Sequence, residues 1–311
     1  MSVDLKGRHF VSMADFNREE IEQTLKVAET LKLERAMRKP HPLLAGRTLA
    51  MIFEKSSTRT RVSFETGMLQ LGGNGLFLSS RDLQLGRGEP VSDSAQVLSR
   101  YVDGIMARTY KHETVTELSK YSRVPVINGL SDYEHPCQIL ADLLTLYEKR
   151  GKLEGLKISY FGDGNNVAHS LMLGAVLVGA HYAGAHPAGY MPEGKVVEQA
   201  RELGKKTGAK VDITSDPHEA ARKSDMIYTD VWTSMGQEGQ EAERIKALGP
   251  YQVNARLMAE APPHCVVMHC LPAHRGEEIT ADVIDGPQSV VFDEAENRLH
   301  AQKALLALTI R

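Results

Sequence analysis

Only three cysteines, Cys137, Cys265 and Cys270, stand in 311 residues. That is too few for a disulfide framework, and it makes a reducing compartment, the cytoplasm, the expected setting. One tryptophan and 6% aromatic residues leave little material for base-stacking surfaces. Neither sign of charge dominates: 37 basic residues face 40 acidic ones, for a net charge of -3. Bulk attraction to nucleic acid or to an anionic membrane surface is therefore not expected. The most apolar stretch, Leu171 to Ala183, is interrupted by Gly174, Gly179 and His181 and is too short to span a bilayer. Met1 to Asn17 mix charged and apolar residues, so neither a signal peptide nor a transit-type segment is expected. Short repeats and low-complexity segments are absent.

What is there reads as a globular enzyme, with 42% hydrophobic and 25% charged residues. The length accommodates two domains, each large enough for its own core. Asn17 to Arg38 has the apolar spacing of an amphipathic helix, with Ile21, Leu25, Ala28 and Leu31 on one stripe. Short apolar runs then alternate with helical patterns. Strands are predicted at Thr48–Phe53, Gly75–Leu78, Gly104–Ala107 and Pro125–Asn128, with helices at Arg61–Leu71, Ser92–Tyr101, Thr114–Tyr121 and Cys137–Lys149. A second series follows Gly151. Its strands are Lys157–Phe161, His181–Ala183, Lys210–Thr214, Met226–Asp230, Val266–His269 and Val290–Asp293. Its helices are Val167–Val178, Gly194–Lys206 and Asn254–Ala259, and a last helix, Glu294–Leu308, ends the pattern. This rhythm predicts an α/β fold of two domains, 1–150 and 151–293, each a parallel sheet flanked by helices. Ligands of such sheets bind beyond the carboxyl ends of the strands, so an active site is expected in a cleft between the two domains.

Five clusters carry chemistry. Ser56-Ser57-Thr58-Arg59-Thr60-Arg61 follows a strand and opens a helix. Free N–H groups, a positive dipole end, hydroxyls and a guanidinium together suit a tetrahedral oxyanion. The glycines and lysine of a nucleotide P-loop are missing. His135-Pro136-Cys137-Gln138 also starts a helix, with Pro136 in the position that favours a start. Arg108 follows a strand, where a cleft residue would sit. Phe161-Gly162-Asp163-Gly164-Asn165-Asn166-Val167 invites a dinucleotide reading. The third glycine of that fingerprint would fall at Val167, so a bound nicotinamide or flavin is not expected. A tight turn presenting an Asn amide is the alternative. Asp230-Val231-Trp232-Thr233-Ser234-Met235-Gly236 offers an acid for an ammonium and a loop able to close on a ligand. His269-Cys270-Leu271-Pro272 follows another strand. Zinc is a competing reading, because His264, Cys265, His269, Cys270 and His274 are near in sequence. Neighbours on a strand face opposite ways, and the spacings of structural zinc are absent, so no metal is expected. Cys270 is either a nucleophile or a thiol that orients an amine. Each cluster also has a plainer reading: a helix cap, a satisfied buried histidine, a surface arginine, a solvent loop.

Taken together and in this order, the clusters resemble the aspartate/ornithine carbamoyltransferase family over nearly the whole chain. Ser57-Thr58-Arg59-Thr60, His135-Pro136-Cys137-Gln138, Asp230 with Ser234-Met235-Gly236, and His269-Cys270-Leu271-Pro272 match its four signatures. The first two are shared with the aspartate branch, and the Ser-Met-Gly loop resembles the ornithine branch. The resemblance implies transfer of a carbamoyl group from carbamoyl phosphate to the δ-amine of L-ornithine, giving L-citrulline and phosphate, with no cofactor. It implies a carbamoyl phosphate site made by Ser57, Thr58, Arg59, Thr60, Arg108, His135, Pro136, Cys137, Gln138, Cys270, Leu271 and Arg298, with Gln84 supplied to a neighbouring subunit. Arg108, His135, Gln138, Cys270 and Arg298 would be catalytic. Asn166, Asp230, Ser234 and Met235 would hold ornithine. A homotrimer or a multiple of it is implied, as is a last helix, 294–311, that packs back onto the first domain so that Arg298 joins the site. The rival substrates are putrescine, an acylated ornithine and aspartate. A rival of another class is a regulatory ligand-binding module.

Overall fold

The computed structural model describes residues 3–83, 88–233 and 238–311. The chain divides into two compact units. One is Met1–Leu144 together with Glu296–Arg311; the other is Thr145–Ala295.

The first unit is built on four strands: β1 (Thr48–Phe53), β2 (Asn74–Ser79), β3 (Gly104–Arg108) and β4 (Val126–Leu130). They pair in parallel in the order β2-β1-β3-β4. Helices α1 (Arg18–Ala36), α2 (Thr58–Gln70), α3 (Val91–Leu98), α4 (His112–Tyr121) and the first part of α5 (Pro136–Arg150), which passes into the second unit at Thr145, accompany them. The order places a switch point between β1 and β3: the chain leaves β1 to one side for β2, then crosses to the other side for β3. Asn17 caps α1 and Glu20 returns the bond, a capping box that fixes where the helix begins. Ala50, Ile52, Ile105, Ala107 and Val126 form the apolar centre of the sheet.

The second unit has β5 (Lys157–Phe161), β6 (His181–Ala185), β7 (Val211–Thr214), β8 (Met226–Thr229) and β9 (Val266–Met268), all parallel, in the order β7-β6-β5-β8-β9. Here the switch point lies between β5 and β8. Its helices are α6 (Asn166–Leu177), α7 (Gly194–Thr207), α8 (Pro217–Ala221), α9 (Glu241–Leu248), α10 (Ala255–Met258) and α11 (Ala281–Ile284). From Val167 to Leu177 every residue of α6 is buried; the segment is apolar all round except for His169 and Ser170. The last helix, α12 (Val291–Thr309), enters the first unit at Glu296.

Two expectations change. Val290–Asp293, predicted as a strand, lead into the first turn of α12. The β-branched run misleads, and Asp293 and Glu294 in that turn suit a helix start. Only Gln288 to Val290 keep strand character, bonding across to Val267. Helix α2 begins at Thr58, three residues before the predicted Arg61, because Ser57 is its cap.

Candidate active site

In the first unit the carboxyl ends of β1 and β3 face the switch point, where ligands of open parallel sheets gather. Ser57 leaves β1 in extended geometry, and its Oγ accepts the Thr60 N–H at 3.2 Å. The same hydroxyl donates to Thr60 Oγ1 at 3.1 Å. Helix geometry leaves the Thr58 and Arg59 N–H groups without intrahelical acceptors. Arg108 is the last residue of β3, in register with Phe53 of β1, and is buried.

Pro136 opens α5, and the His135 carbonyl accepts from Gln138 N–H. Gln138 is buried, donates through Nε2 to Asp142 at 2.8 Å, and accepts Arg298 Nη1 at 2.6 Å through Oε1. Arg298 Nη2 lies 3.5 Å from Thr60 Oγ1. Arg298, reached from the last helix, thus joins the α2 and α5 termini within this unit. Burial drives the His135 pKa well below its usual 6.5, and the Arg298, Arg108 and Arg59 guanidiniums push it the same way. His135 is therefore a neutral imidazole that can donate one N–H. Cys137 Sγ donates to the Asn128 carbonyl at 3.3 Å, and burial pushes its thiol up to about 12. Its side chain belongs to the core, leaving its main chain for any ligand. Sequence reasoning passed over Lys55, which sits over the Tyr110 ring; burial, and then Arg108, lower its pKa. A basic residue just after β1 was the available signal.

In the second unit the functional loops leave β5, β8 and β9, flanking its own switch point. Gly162 has φ of 121°, and a side chain there would approach the Trp232 indole at 3.6 Å. A Cβ on Gly164 would fall 2.1 Å from Pro192 N. Gly162 thus serves a positive φ and Gly164 a close chain approach, which accounts for a glycine pair without a dinucleotide. Asn165 caps α6, and Asn166 is the first residue of that helix, partly exposed.

Asp230 follows β8 and is buried. Its Oδ1 accepts Val231 N–H at 2.8 Å and Cys270 Sγ at 3.0 Å; its Oδ2 accepts Asn165 Nδ2 at 2.9 Å. His269 is fully buried, accepts Leu271 N–H through Nδ1 at 2.9 Å, and lies 3.0 Å from Glu278 Oε1 through Nε2. An acceptor Nδ1 puts the ring proton on Nε2, aimed at Glu278. Leu271 has φ of 57°, so the chain turns sharply just after Cys270.

That turn corrects one expectation. His269 and Cys270 were expected to diverge as strand neighbours, but β9 ends at Met268. Ligating atoms of Asp230, His269 and Cys270 consequently lie within 4.8 Å of one another. A metal on His269 would still have to displace Leu271 N–H or Glu278 from the ring.

Gln84, Ser234 and Met235 lie outside the described residues. Arg244, absent from the sequence reading, is buried on α9 and bonds the Asp163 carboxylate and the Trp232 carbonyl. Burial raises the Asp163 pKa despite that partner. No local pattern marks Arg244, a helix residue ten positions beyond Ser234.

One unit of this α/β protein gathers guanidiniums and hydroxyls at a helix start, and the other sets a buried carboxylate beside a thiol. The chain belongs to the aspartate/ornithine carbamoyltransferase family. Residues 8–148 match that family's carbamoyl-P binding domain, and residues 154–309 match its Asp/Orn binding domain. The chain is 57% identical over 310 residues to an ornithine carbamoyltransferase of Thermococcus kodakarensis, covering 100% of this chain and 98% of that one. It is 56% identical over 302 residues to the ornithine carbamoyltransferase of Bacillus subtilis, covering 97% and 93%. The solved ornithine carbamoyltransferase from Pyrococcus furiosus superposes with a TM-score of 0.97 at 55% identity, covering 99% of each chain. The ornithine transcarbamoylase of Giardia lamblia, at 35% identity and 97% coverage of each chain, gives 0.88.

Proposed function

We propose that the chain transfers the carbamoyl group of carbamoyl phosphate to the δ-amine of L-ornithine, releasing L-citrulline and phosphate. The observation that carries this reading is the gathering of Arg59, Arg108 and Arg298 around a buried neutral His135. Like charges brought together at low dielectric call for an anion, and a phosphate dianion satisfies several of them at once.

Ser57, Thr58, Arg59, Thr60 and Arg108 bind the phosphate, with helix N–H groups from the start of α2. His135, Gln138 and Thr60 polarise the carbamoyl carbonyl, supported by the main chain around Pro136 and Cys137. Arg298 and the carbonyls of Cys270 and Leu271 hold the carbamoyl amide. Gln84 completes the site from a neighbouring subunit. Asp230 takes the α-ammonium of ornithine, and Asn166, Ser234 and Met235 take its carboxylate side.

The neutral δ-amine attacks the carbamoyl carbon. Charge builds on the carbonyl oxygen, where preorganised donors stabilise it. The tetrahedral state collapses by breaking the carbon–oxygen bond to phosphate, which leaves with the electron pair and takes the amine proton. An alkyl amine of reference pKa about 10.4 is free base in only about one molecule in a few thousand at pH 7, so the site has to select that form. Cys270 orients the amine.

The family's domain descriptions support the substrates. Exposed Val62 and Leu69 on α2 and Leu76 and Phe77 on the edge strand β2 support self-association, read here as a homotrimer. The three cysteines form no disulfide, which supports a cytoplasmic setting, and among the described residues no helix is long and apolar enough to cross a membrane. The name "anabolic" on a Pyrococcus furiosus relative supports a place in arginine biosynthesis.

Citrulline formation should be assayed with ornithine, putrescine and acetylornithine in parallel. Turnover with ornithine alone is expected. A preference for either rival would overturn the substrate assignment, and sedimentation of the purified protein as a monomer would overturn the trimer.

A further inference from the structure

We propose that Asn165 is the positioning residue of the amino-acid subsite, tying the start of α6 to the Asp230 carboxylate. The inference rests on the reading that Asp230 binds the ornithine α-ammonium.

Asn165 Oδ1 accepts the Val167 N–H at 2.9 Å, the Ala168 N–H at 3.1 Å and the Tyr160 hydroxyl at 3.2 Å. Three donors on one oxygen leave no ambiguity over which end of the amide is which. Its Nδ2 therefore points at Asp230 Oδ2, 2.9 Å away. Tyr160 is itself held, stacked against the His186 and Tyr228 rings. The Asn165 N–H bonds the Asp163 carbonyl at 2.8 Å, which fixes the turn from β5 into α6.

A cap alone does not require asparagine, because serine, threonine and aspartate cap a helix about as well. Among these four, only asparagine carries a separate donor group beyond its capping oxygen, and that Nδ2 is the atom that reaches Asp230; a serine or threonine hydroxyl is shorter and is itself the capping atom. The Asp230 carboxylate offers about four acceptor positions. Val231 N–H and Cys270 Sγ take two and Asn165 takes a third. Among the described residues no other donor is seen at the fourth, which we assign to a substrate ammonium, and the orientation of the carboxylate decides where it points. Asn165 thereby sets where ornithine sits and, through Oδ1 of Asp230, where Cys270 sits beside it.

Two variants separate this duty from capping. Asn165→Asp keeps the capping oxygen but turns an acceptor toward Asp230, so that the two carboxyls compete for one proton. Asn165→Ser keeps a cap and, with its shorter side chain, withdraws the amide donor from Asp230 Oδ2 without adding charge. For Asn165→Asp, we expect the ornithine KM to rise about 100-fold and the acid limb of kcat/KM to move to higher pH. The carbamoyl phosphate KM should stay within about threefold and the melting temperature within a few degrees of wild type. Asn165→Ser should raise the ornithine KM about tenfold and leave the pH limb in place. Wild-type ornithine KM in a folded Asn165→Asp enzyme overturns the proposal. So does an ornithine KM in Asn165→Ser that stays at wild type, or that rises only in step with a fall in melting temperature. Should the wild-type enzyme itself make no citrulline, the substrate reading fails instead.

Discussion

Replacement of Arg59 by alanine tests the phosphate cradle with least disturbance to the fold. Arg59 is partly exposed and has no carboxylate partner among the described residues. The start of α2 does not depend on it, since the cap is formed by Ser57 and Thr60. Its removal should therefore cost the folded protein no more than about 0.5 kcal/mol, as for a surface change away from special features. The ligand stands to lose far more. One charge-assisted hydrogen bond contributes roughly 1.5–3 kcal/mol, and a guanidinium commonly makes two to a phosphate. A loss of about 3–6 kcal/mol corresponds to binding weaker by roughly 10²- to 10⁴-fold. Calorimetric titration with carbamoyl phosphate, and with inorganic phosphate as a stable probe, reads this directly. A thermal melt of the same sample reads the fold. Arg59→Lys keeps the charge but not the planar fork, so its affinity should fall between wild type and Arg59→Ala. Affinity within threefold of wild type in a well-folded Arg59→Ala protein would refute the cradle.

Cys270→Ser should keep measurable turnover with a raised ornithine KM, and thiol reagents should inactivate the wild type more slowly when ornithine is present; trapping a carbamoylated Cys270 would contradict this. Gly164→Ala should lower the melting temperature substantially, because its Cβ would lie 2.1 Å from Pro192 N; overpacking of this kind costs about 1–3 kcal/mol, and an unchanged melt would count against the turn described. Acid should destabilise the protein from about pH 6.5 downward. Burial holds His135 well below 6.5 and His186 at about 4, so the unfolded chain takes up these protons first. Their stabilisation is complete above the unfolded pKa and is lost as pH falls toward the folded one, at up to about 1.4 kcal/mol per pH unit for each histidine. A melting temperature that stays flat from pH 6.5 to pH 5 would be the contrary result.

The parts of the site nearest the strands were the most legible. Phe53 ends β1 where the apolar run ends, and Ser57 to Thr60 announce a helix start that can take an anion. Alternation of strand and helix patterns likewise revealed two parallel sheets. Long-range partners were not legible from local pattern. Gln138 and Arg298 are 160 residues apart and meet only in the fold; the family resemblance, not periodicity, placed Arg298. Arg244 sits on a helix that the pattern did not predict at all. His269 was misread because strand alternation was extended one residue past β9, into the turn that Leu271 makes. Asn165 was hidden by its neighbour: two adjacent asparagines look interchangeable in sequence, yet one caps the helix and bonds Asp230 while the other begins the helix.

The placement of hydrogens around Cys270 bears on how the reaction runs. Its Sγ donates to Asp230 Oδ1 at 3.0 Å, so the thiol proton is engaged by a carboxylate. Nucleophilic catalysis would need that proton removed, and the adjacent histidine is badly placed to remove it. His269 Nδ1 already accepts Leu271 N–H, and its Nε2 proton is committed to Glu278. The buried Cys137, pushed up to about 12, is a poorer nucleophile still. Carbamoyl phosphate needs no such help, because phosphate is already a competent leaving group. What the uncatalysed reaction lacks is a neutral amine held close to the carbamoyl carbon, and holding reactants in register can by itself supply about 7–11 kcal/mol of the barrier. In the function proposed above, the two units meet those needs separately: guanidiniums and a neutral histidine serve the leaving group and the carbonyl, a carboxylate and a thiol the amino acid that brings the amine.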